Sequence, residues 1–432
     1  MEQYGGQTER VRRTDGGSRA KRVWRTDGGS RAKRVRRTDG AACGEKSGGR
    51  GVKASGACAG QALGARAGQA EQKGQSERAR AGGASVFFAG CSAFVWESEE
   101  GLRFFGRNFD FDRFDAGSRV LFLPRGEEIA LRLGEGVRET LPAKYAVAGM
   151  GTLSLPVPVL YDGVNECGLA GGQLYFRERA HYAQSAPAGR AAVQPGLALT
   201  CALASCASVE EAVAAFTARY SLVAEPLMGA VPPLHWFFAD RTGASAVLEP
   251  AEDGVRVFRG ANVMTNSPSY GWHRENLLNY AHIRAQDYAE TPAGAAQPPC
   301  FSGSGAQGLP GDWSSPSRFV RLSFLRVLCV RGRGEEETAA YTFRLLENVA
   351  FPLGMVRVHA AGGRLEEGVS PYDHTVYSCV AGLHSLRYYW TSYRNSSVRY
   401  IDLAALREGA ERISFCVDDV PAFCTARREE VQ

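Results

Sequence analysis

The 432-residue chain is long enough for two or three domains. Its charge is unevenly divided: residues 1–90 carry 19 Lys+Arg against 8 Asp+Glu, a net of +11, and residues 91–432 carry 32 against 38, a net of −6. The overall excess of basic residues therefore belongs to the N-terminal stretch, which removes the ground for reading the rest as a nucleic-acid-binding protein from net charge.

Other totals narrow the field further. Eleven cysteines contain no CxxC, and nine of them, an odd number, lie in 91–432; this suits reduced thiols better than a disulfide scaffold. Seven histidines form no HExxH or HxH pattern, so a metal site has no support. No apolar run approaches the roughly 20 residues that span a bilayer.

The chain opens on a tandem repeat of period 12, RVRRTDGGSRAK, RVWRTDGGSRAK, RVRRTDG, and residues 41–84 continue in Gly, Ala, Arg and Gln. Such a composition has too little apolar surface to offset the entropy of ordering the chain. A basic arm that binds nucleic acid or an acidic surface is one reading. The favoured one is a disordered leader, removed or even spurious, because near-identical repeats without structural logic look like duplicated DNA. Initiation at Val86 through a GUG codon would leave a pre-peptide M-F-F-A-G before Cys91. Phe88-Ala89-Gly90-Cys91 also has the look of a lipoprotein cleavage box, but the apolar stretch before it is too short for a secretory signal. The leader is thus set at 1–90 and a single domain at 91–432, placed in the cytoplasm for want of a signal, with the periplasm as the alternative.

From residue 85 the texture becomes globular. SVFFAGCSAFVWES and LRFFGRNFDFD read as two strands around the polar turn Glu97–Gly101, and VLFLPRG and IALRL continue the pattern. LYDGVNECGLAGGQLYF reads as two strands about Asn165–Gly168. Ser208-Val209-Glu210-Glu211 is a capping box, and Val209, Ala212, Val213, Phe216 and Tyr220 line one face of the helix that follows. LHWFFAD and SAVLEP form a hairpin across Arg241-Thr242-Gly243, extended by VRVF. Helices are predicted over 273–286, 317–330 and 336–348, and TVYSCVAGLHSLRYYWTSYRNSSVRYIDL alternates like consecutive strands. Many antiparallel strands with helices in separate runs indicate an α+β fold, helices on the outer faces of sheet layers.

Two phosphate-site signals fail on context. Gly303–Gly308 fits GxGxxG but leads into Leu-Pro-Gly-Asp rather than a helix of a βαβ unit, and no Walker A sequence is present. A GxSxG elbow is absent too. The informative segment is Cys91-Ser92-Ala93-Phe94 followed by Gly106-Arg107-Asn108-Phe109-Asp110. A thiol on one strand would face an arginine and an aspartate on its partner. The guanidinium favours thiolate over thiol, and the carboxylate can hold an ammonium group. Were Cys91 N-terminal, its α-amine, with a pKa near 7.7–8.0 and about a tenth neutral at pH 7, could serve as the base, so that no histidine is needed. Taken alone, Cys91 reads more readily as an ordinary buried strand residue.

The ordered series C-S-A-F, F-G-R-N-F-D, D-G-V-N-E-C-G-L-A, L-H-W-F-F-A-D, V-M-T-N-S-P, G-L-P-G-D-W-S-S-P-S-R-F-V-R and Y-Y-W-T-S-Y resembles the choloylglycine hydrolase family, which contains penicillin V acylases and conjugated bile salt hydrolases. The resemblance runs from Cys91 to about Leu403. It implies a four-layer αββα sandwich of the N-terminal-nucleophile hydrolases, self-removal of whatever precedes the cysteine, and usually a homotetramer. It implies Cys91 as nucleophile, Arg107 beside its sulfur and Asp110 on the α-amine. Asn266 would be an oxyanion donor and Arg318 the second active-site arginine, with Arg321 the less favoured choice. After Asn165–Leu169, bile salt hydrolases usually read A-G-L-N-F; here the run is Gly172-Gln173-Leu174-Tyr175-Phe176. Tyr175 takes the asparagine's place as in penicillin V acylases, its backbone N–H the other oxyanion donor. The implied activity is hydrolysis of a linear N-acyl amide through a thioester, penicillin V acylase-like, with no metal, no cofactor, no nucleic-acid partner and no membrane. Conjugated bile salt hydrolysis and acyl transfer to an amine are the enzymatic alternatives; a basic-arm nucleic-acid binder on an inactive hydrolase fold is the non-enzymatic one.

Overall fold

A computed structural model describes residues 89–113, 117–134, 137–155, 157–227, 229–288, 302–358, 370–408 and 411–426. The expected leader, 1–90, falls almost entirely outside them.

Two antiparallel sheets face each other. Strands β1 (Ala89–Glu97) and β2 (Arg103–Phe111) pair in the predicted hairpin, with Cys91 opposite Phe109 and Gly90 opposite Asp110. The other strands that matter for the site are β3 (Ser118–Leu123), β4 (Val147–Thr152), β5 (Asp162–Asn165), β6 (Leu169–Tyr175), β7 (Leu234–Asp240), β8 (Ser245–Ala251), β9 (Gly254–Arg259), β10 (Val263–Met264), β11 (Tyr372–Gly382), β12 (Arg387–Ser392), β13 (Arg399–Asp402) and β14 (Ile413–Phe415). The first sheet runs β10-β1-β2-β11-β12-β13, and the second β9-β8-β7-β6-β5-β4-β3-β14.

Burial explains why the strands lack a clean inside-outside alternation. Both sheets are covered on both faces, so β2 and β7 are buried almost throughout. Helices α1 (Ala198–Ser205) and α2 (Val209–Ala214) cover the second sheet, where Asn165 donates to the carbonyls of Leu203 and Cys206 at 2.8 and 2.6 Å. Past α3 (Tyr270–Asn276), helices α4 (Ser315–Leu328) and α5 (Gly334–Glu347) cover the first; Trp96 donates to Arg326 O and Asn108 to Leu346 O, each at 2.9 Å. Between the sheets, Phe105 meets Phe237 with ring centroids 5.5 Å apart. The result is the α+β sandwich in αββα order.

Two local expectations are refined. Ser208 caps α2 by accepting from the Glu211 N–H at 3.3 Å, while the Glu211 carboxylate reaches one residue further back, to the Ala207 N–H at 2.9 Å. The helix predicted over 273–286 starts earlier and ends sooner, at Asn276 with a short 3-10 turn after it. Leu278 beyond it is 78% exposed, so the segment has little apolar burial to extend the helix.

Candidate active site

Cys91 lies on β1 with its thiol toward the space between the sheets. Arg107 Nη2 stands 3.4 Å from the Cys91 sulfur and donates to the Gln173 carbonyl at 2.8 Å. Its other nitrogen, Nη1, bonds Asp162 and donates to Tyr377 Oη at 3.2 Å. Gly172 makes the passage for this side chain: a Cβ there would lie 3.3 Å from Arg107 Cδ. Asp162, which sequence reasoning missed, anchors the group. Fully buried, it also accepts from Tyr377 at 2.6 Å, Tyr388 at 2.5 Å and the Cys379 thiol at 3.2 Å. The signal was available in D-G-V-N-E-C-G, whose first residue is Asp162.

The other side of Cys91 is held by Asn266 and Arg318. The Cys91 N–H donates to Asn266 Oδ1 at 2.9 Å, and Asn266 Nδ2 donates to the Tyr175 carbonyl at 2.9 Å. Arg318 donates to Asn266 Oδ1 at 2.8 Å, to the Cys91 carbonyl at 2.6 Å and to Ser92 Oγ at 2.7 Å. Asn266 is itself locked: Ser315 accepts from its N–H, and the His273 ring lies 2.9 Å from its carbonyl. These two residues also escaped the sequence reading, although Ser315 lies in W-S-S-P-S. Arg321 instead donates to the carbonyls of Pro310, Asp312 and Asn348, tying loops together.

Asp110 sits on the opposite face of the sheet from the thiol. Thr375 donates to its Oδ1 at 2.6 Å, while its buried Oδ2 has no hydrogen-bond partner. All six candidates, Cys91, Arg107, Asp110, Tyr175, Asn266 and Arg318, thus come together around one residue.

Electrostatics follow from burial. Burial pushes the Cys91 thiol above its ordinary range; Arg107 pulls it back and the Asp110 charge pushes it up again. The pull of Arg107 thus does not outweigh the effect of burial on the thiol. Burial also lifts Asp110 to about 6, against the pull of Arg318, the Thr375 hydrogen bond and Arg107.

A cavity of about 510 Å³ opens over the sulfur. Its walls are mostly apolar, including Phe109, Phe111, Leu155, Tyr161 and Leu234, with Tyr175 and Arg113 also in the lining. Phe109 stacks between Tyr161 and Tyr377 at 5.0 and 5.1 Å, which makes that wall rigid. Among the described residues no cluster of His, Cys, Asp and Glu is arranged to hold a metal ion, and no helix is long and apolar enough to cross a membrane.

The profile of the linear amide C–N hydrolases, choloylglycine hydrolase family, matches residues 91–413. The chain belongs to the choloylglycine hydrolase family. It is similar to the bile salt hydrolase/transferase of Clostridium perfringens, 32% identical over 317 residues that cover 72% of this chain and 92% of the relative. It is similar to the conjugated bile acid hydrolase of Lactobacillus gasseri, 30% identical over 69% of this chain and 91% of the relative. A solved variant of the C. perfringens conjugated bile acid hydrolase superposes with a TM-score of 0.70 at 28% identity, covering 78% of this chain and 100% of that one. The penicillin V acylase of Agrobacterium tumefaciens shares the fold, with a TM-score of 0.58 at 22% identity over 75% of this chain and 90% of that chain. The family match begins at Cys91 itself. It makes the chain an enzyme of the linear-amide hydrolase type.

Proposed function

We propose that Cys91, freed of residues 1–90, is the N-terminal nucleophile of a hydrolase for N-acyl amides whose bulky apolar part occupies the 510 Å³ cavity. The observation that carries this reading is the Arg107 guanidinium 3.4 Å from the Cys91 sulfur at the foot of that cavity.

The α-amine of Cys91 takes the thiol proton, and the thiolate attacks the amide carbonyl. A second N–H of Asn266 Nδ2 and the Tyr175 backbone N–H stabilise the oxyanion. Arg107 and Arg318 hold the sulfur and the Cys91 carbonyl in place. The C–N bond breaks, the leaving amine takes the proton from the Cys91 ammonium, and a thioester remains on sulfur. Water, deprotonated by the same amine, resolves it to a carboxylic acid. A thiol kept protonated by burial is the state such a base requires. In the precursor the Cys91 nitrogen is still an amide and cannot act as base. Maturation would therefore run by attack of the thiol on the Gly90 carbonyl with water taking the thiol proton, transfer of the Gly90 acyl group from nitrogen to sulfur with a proton delivered to the nitrogen, and hydrolysis of that thioester to a Gly90 carboxylate and a free Cys91 amine. A homotetramer is the expected assembly, read by native mass.

Tyr175 in the cavity lining, where bile salt hydrolases usually carry asparagine, favours acyl groups like that of penicillin V. The second reading, conjugated bile salts, is supported by the names of the relatives at 32% and 30% identity. A panel of penicillin V, glycine- and taurine-conjugated bile salts and N-acyl homoserine lactones separates them, and added amine would reveal acyl transfer. Intact mass of the active protein should start at Cys91. Cys91→Ala should abolish hydrolysis, and Cys91→Ser should lose most of it and stay largely unprocessed. Active protein that retains earlier residues, or turnover by Cys91→Ala, overturns the mechanism.

A further inference from the structure

Strand β11 is bulged where it passes Asp110. Its register sets Ser378 opposite Asn108 and Tyr377 opposite Phe109, then shifts, so that Thr375 stands opposite Asp110 and Val376 is left without a partner on β2. A regular antiparallel strand would have put Val376 opposite Asp110. A bulge gives up ladder pairing, and beside an active site it serves to re-aim a side chain. Here the group that is re-aimed is a hydroxyl.

Both roles of that hydroxyl are fixed. It accepts from the Phe351 N–H at 2.7 Å, which leaves its proton for Asp110 Oδ1 at 2.6 Å. The Thr375 N–H returns a bond to the Phe351 carbonyl at 3.1 Å, and Trp313 donates to the neighbouring Ala350 carbonyl at 2.9 Å. Thr375 and Asp110 are both buried, where a hydrogen bond to a carboxylate is strong. The other carboxylate oxygen, Oδ2, has no hydrogen-bond partner among the described residues and lies 3.2 Å from where a Cβ on Gly90 would stand. Along the backbone only the Gly90 carbonyl carbon separates that Cα from the Cys91 nitrogen. The titratable and charged groups that act on Asp110 are Arg318 from α4, Arg107 on its own strand, the Cys91 thiol on β1 and Asp373 on β11, and none of them bonds Oδ2.

We propose that Thr375 is a positioning residue whose hydroxyl holds Asp110 Oδ1, so that the carboxylate stays charged and keeps Oδ2 for the α-ammonium that cleavage leaves on Cys91. The proposal rests on the reading of Cys91 as an N-terminal nucleophile. Once Gly90 has departed with the leader, the Cys91 nitrogen has Asn266 Oδ1 on one side, as its amide N–H has before cleavage, and Asp110 Oδ2 on the other. Thr375 decides which carboxylate oxygen is left for it. The same bond opposes the effect of burial, which lifts Asp110 to about 6 even with the hydroxyl, Arg318 and Arg107 in place.

The test compares Thr375→Val, which loses the hydroxyl at nearly constant shape, with Thr375→Ser, which keeps it. In the uncleaved full chain carrying Cys91→Ala, 13C-aspartate NMR follows the Asp110 carboxyl, identified as the signal lost in Asp110→Asn. Thr375→Val should raise its midpoint by about one pH unit, and Thr375→Ser should leave it in place. A hydroxyl that served packing alone would act the other way, since a loosened site admits water and lowers the midpoint toward the ordinary value of about 3.9. In the full chain with Cys91 intact and maturation verified by intact mass, Thr375→Val should lower kcat on the best substrate of the panel about tenfold at unchanged KM, and Thr375→Ser should restore it. An unmoved or lowered Asp110 midpoint in Thr375→Val, or a Ser variant that behaves like Val, overturns the proposal. Should Thr375→Val fail to fold, a crystal structure of the cleaved wild type decides: the Asp110 oxygen not held by Thr375 must bond the Cys91 nitrogen, and a nitrogen bonded elsewhere overturns the proposal. Failure of the underlying reading is a separate result, an active protein whose mass includes residues before Cys91.

Discussion

Asp162→Asn removes the counter-charge of Arg107 while conserving shape. In the wild type the carboxylate faces donors from Arg107, Tyr377, Tyr388 and Cys379, all buried. An Asn amide has one acceptor oxygen and turns an NH2 toward some of those donors. The Arg107 charge stays, held by the Gln173 carbonyl, the Tyr377 hydroxyl and the sulfur, with no counter-charge among them. Leaving one partner of a buried ion pair uncompensated costs about 3–5 kcal/mol. The urea midpoint of unfolding should fall accordingly at an unchanged m-value. Because Arg107 Nη2 is 3.4 Å from the Cys91 sulfur, the proposed nucleophile, displacement by about 1 Å should also lower kcat/KM about 10²-fold. Tyr388→Phe, which removes one of several donors to that carboxylate, should cost about 1.5–3 kcal/mol, less than Asp162→Asn, and leave kcat/KM nearly intact. An Asn variant with wild-type midpoint and wild-type kcat/KM would refute the claim that Asp162 holds Arg107 in place.

Gly90→Val should slow processing, seen as residual precursor on intact mass, because a Cβ there falls 2.8 Å from the buried Phe351 ring; Phe351→Ala in the same chain should restore cleavage. Asn266→Ala should lower kcat about 10²–10³-fold, since it removes the proposed oxyanion donor together with the acceptor for Cys91 N–H; a smaller effect than tenfold would move the oxyanion site elsewhere. His273 is held neutral, its pKa depressed by burial to about 4. The unfolded chain binds more protons between that value and about 6.5, so the stability it contributes is present above pH 6.5 and lost as pH falls toward 4, about 3 kcal/mol in all. His273→Gln should flatten the fall of the urea midpoint from pH 7 to pH 5, and an unchanged fall would reject the assignment.

Much of this protein was legible from its sequence because the information is local or ordered along the chain. The β1–β2 hairpin, the Ser208 cap and the α4 and α5 helices follow from periodicity and turn chemistry between near neighbours, and the order of the motifs from Cys91 onward is enough to suggest the family. Periodicity faltered at 273–286, where exposure rather than pattern set the helix end. What the tertiary structure alone decided is which polar groups meet inside the sandwich. Asp162 and Arg107 are 55 residues apart, Asp110 and Thr375 are 265 apart, and Arg318 and Cys91 are 227 apart. Propensity and spacing carry no record of such pairings, since a buried carboxylate is stable only when the fold brings donors to it from distant strands. The same holds for the thiol: the sequence placed an arginine on the strand next to Cys91, but only the degree of burial shows that the thiol is pushed above its ordinary range in spite of that arginine.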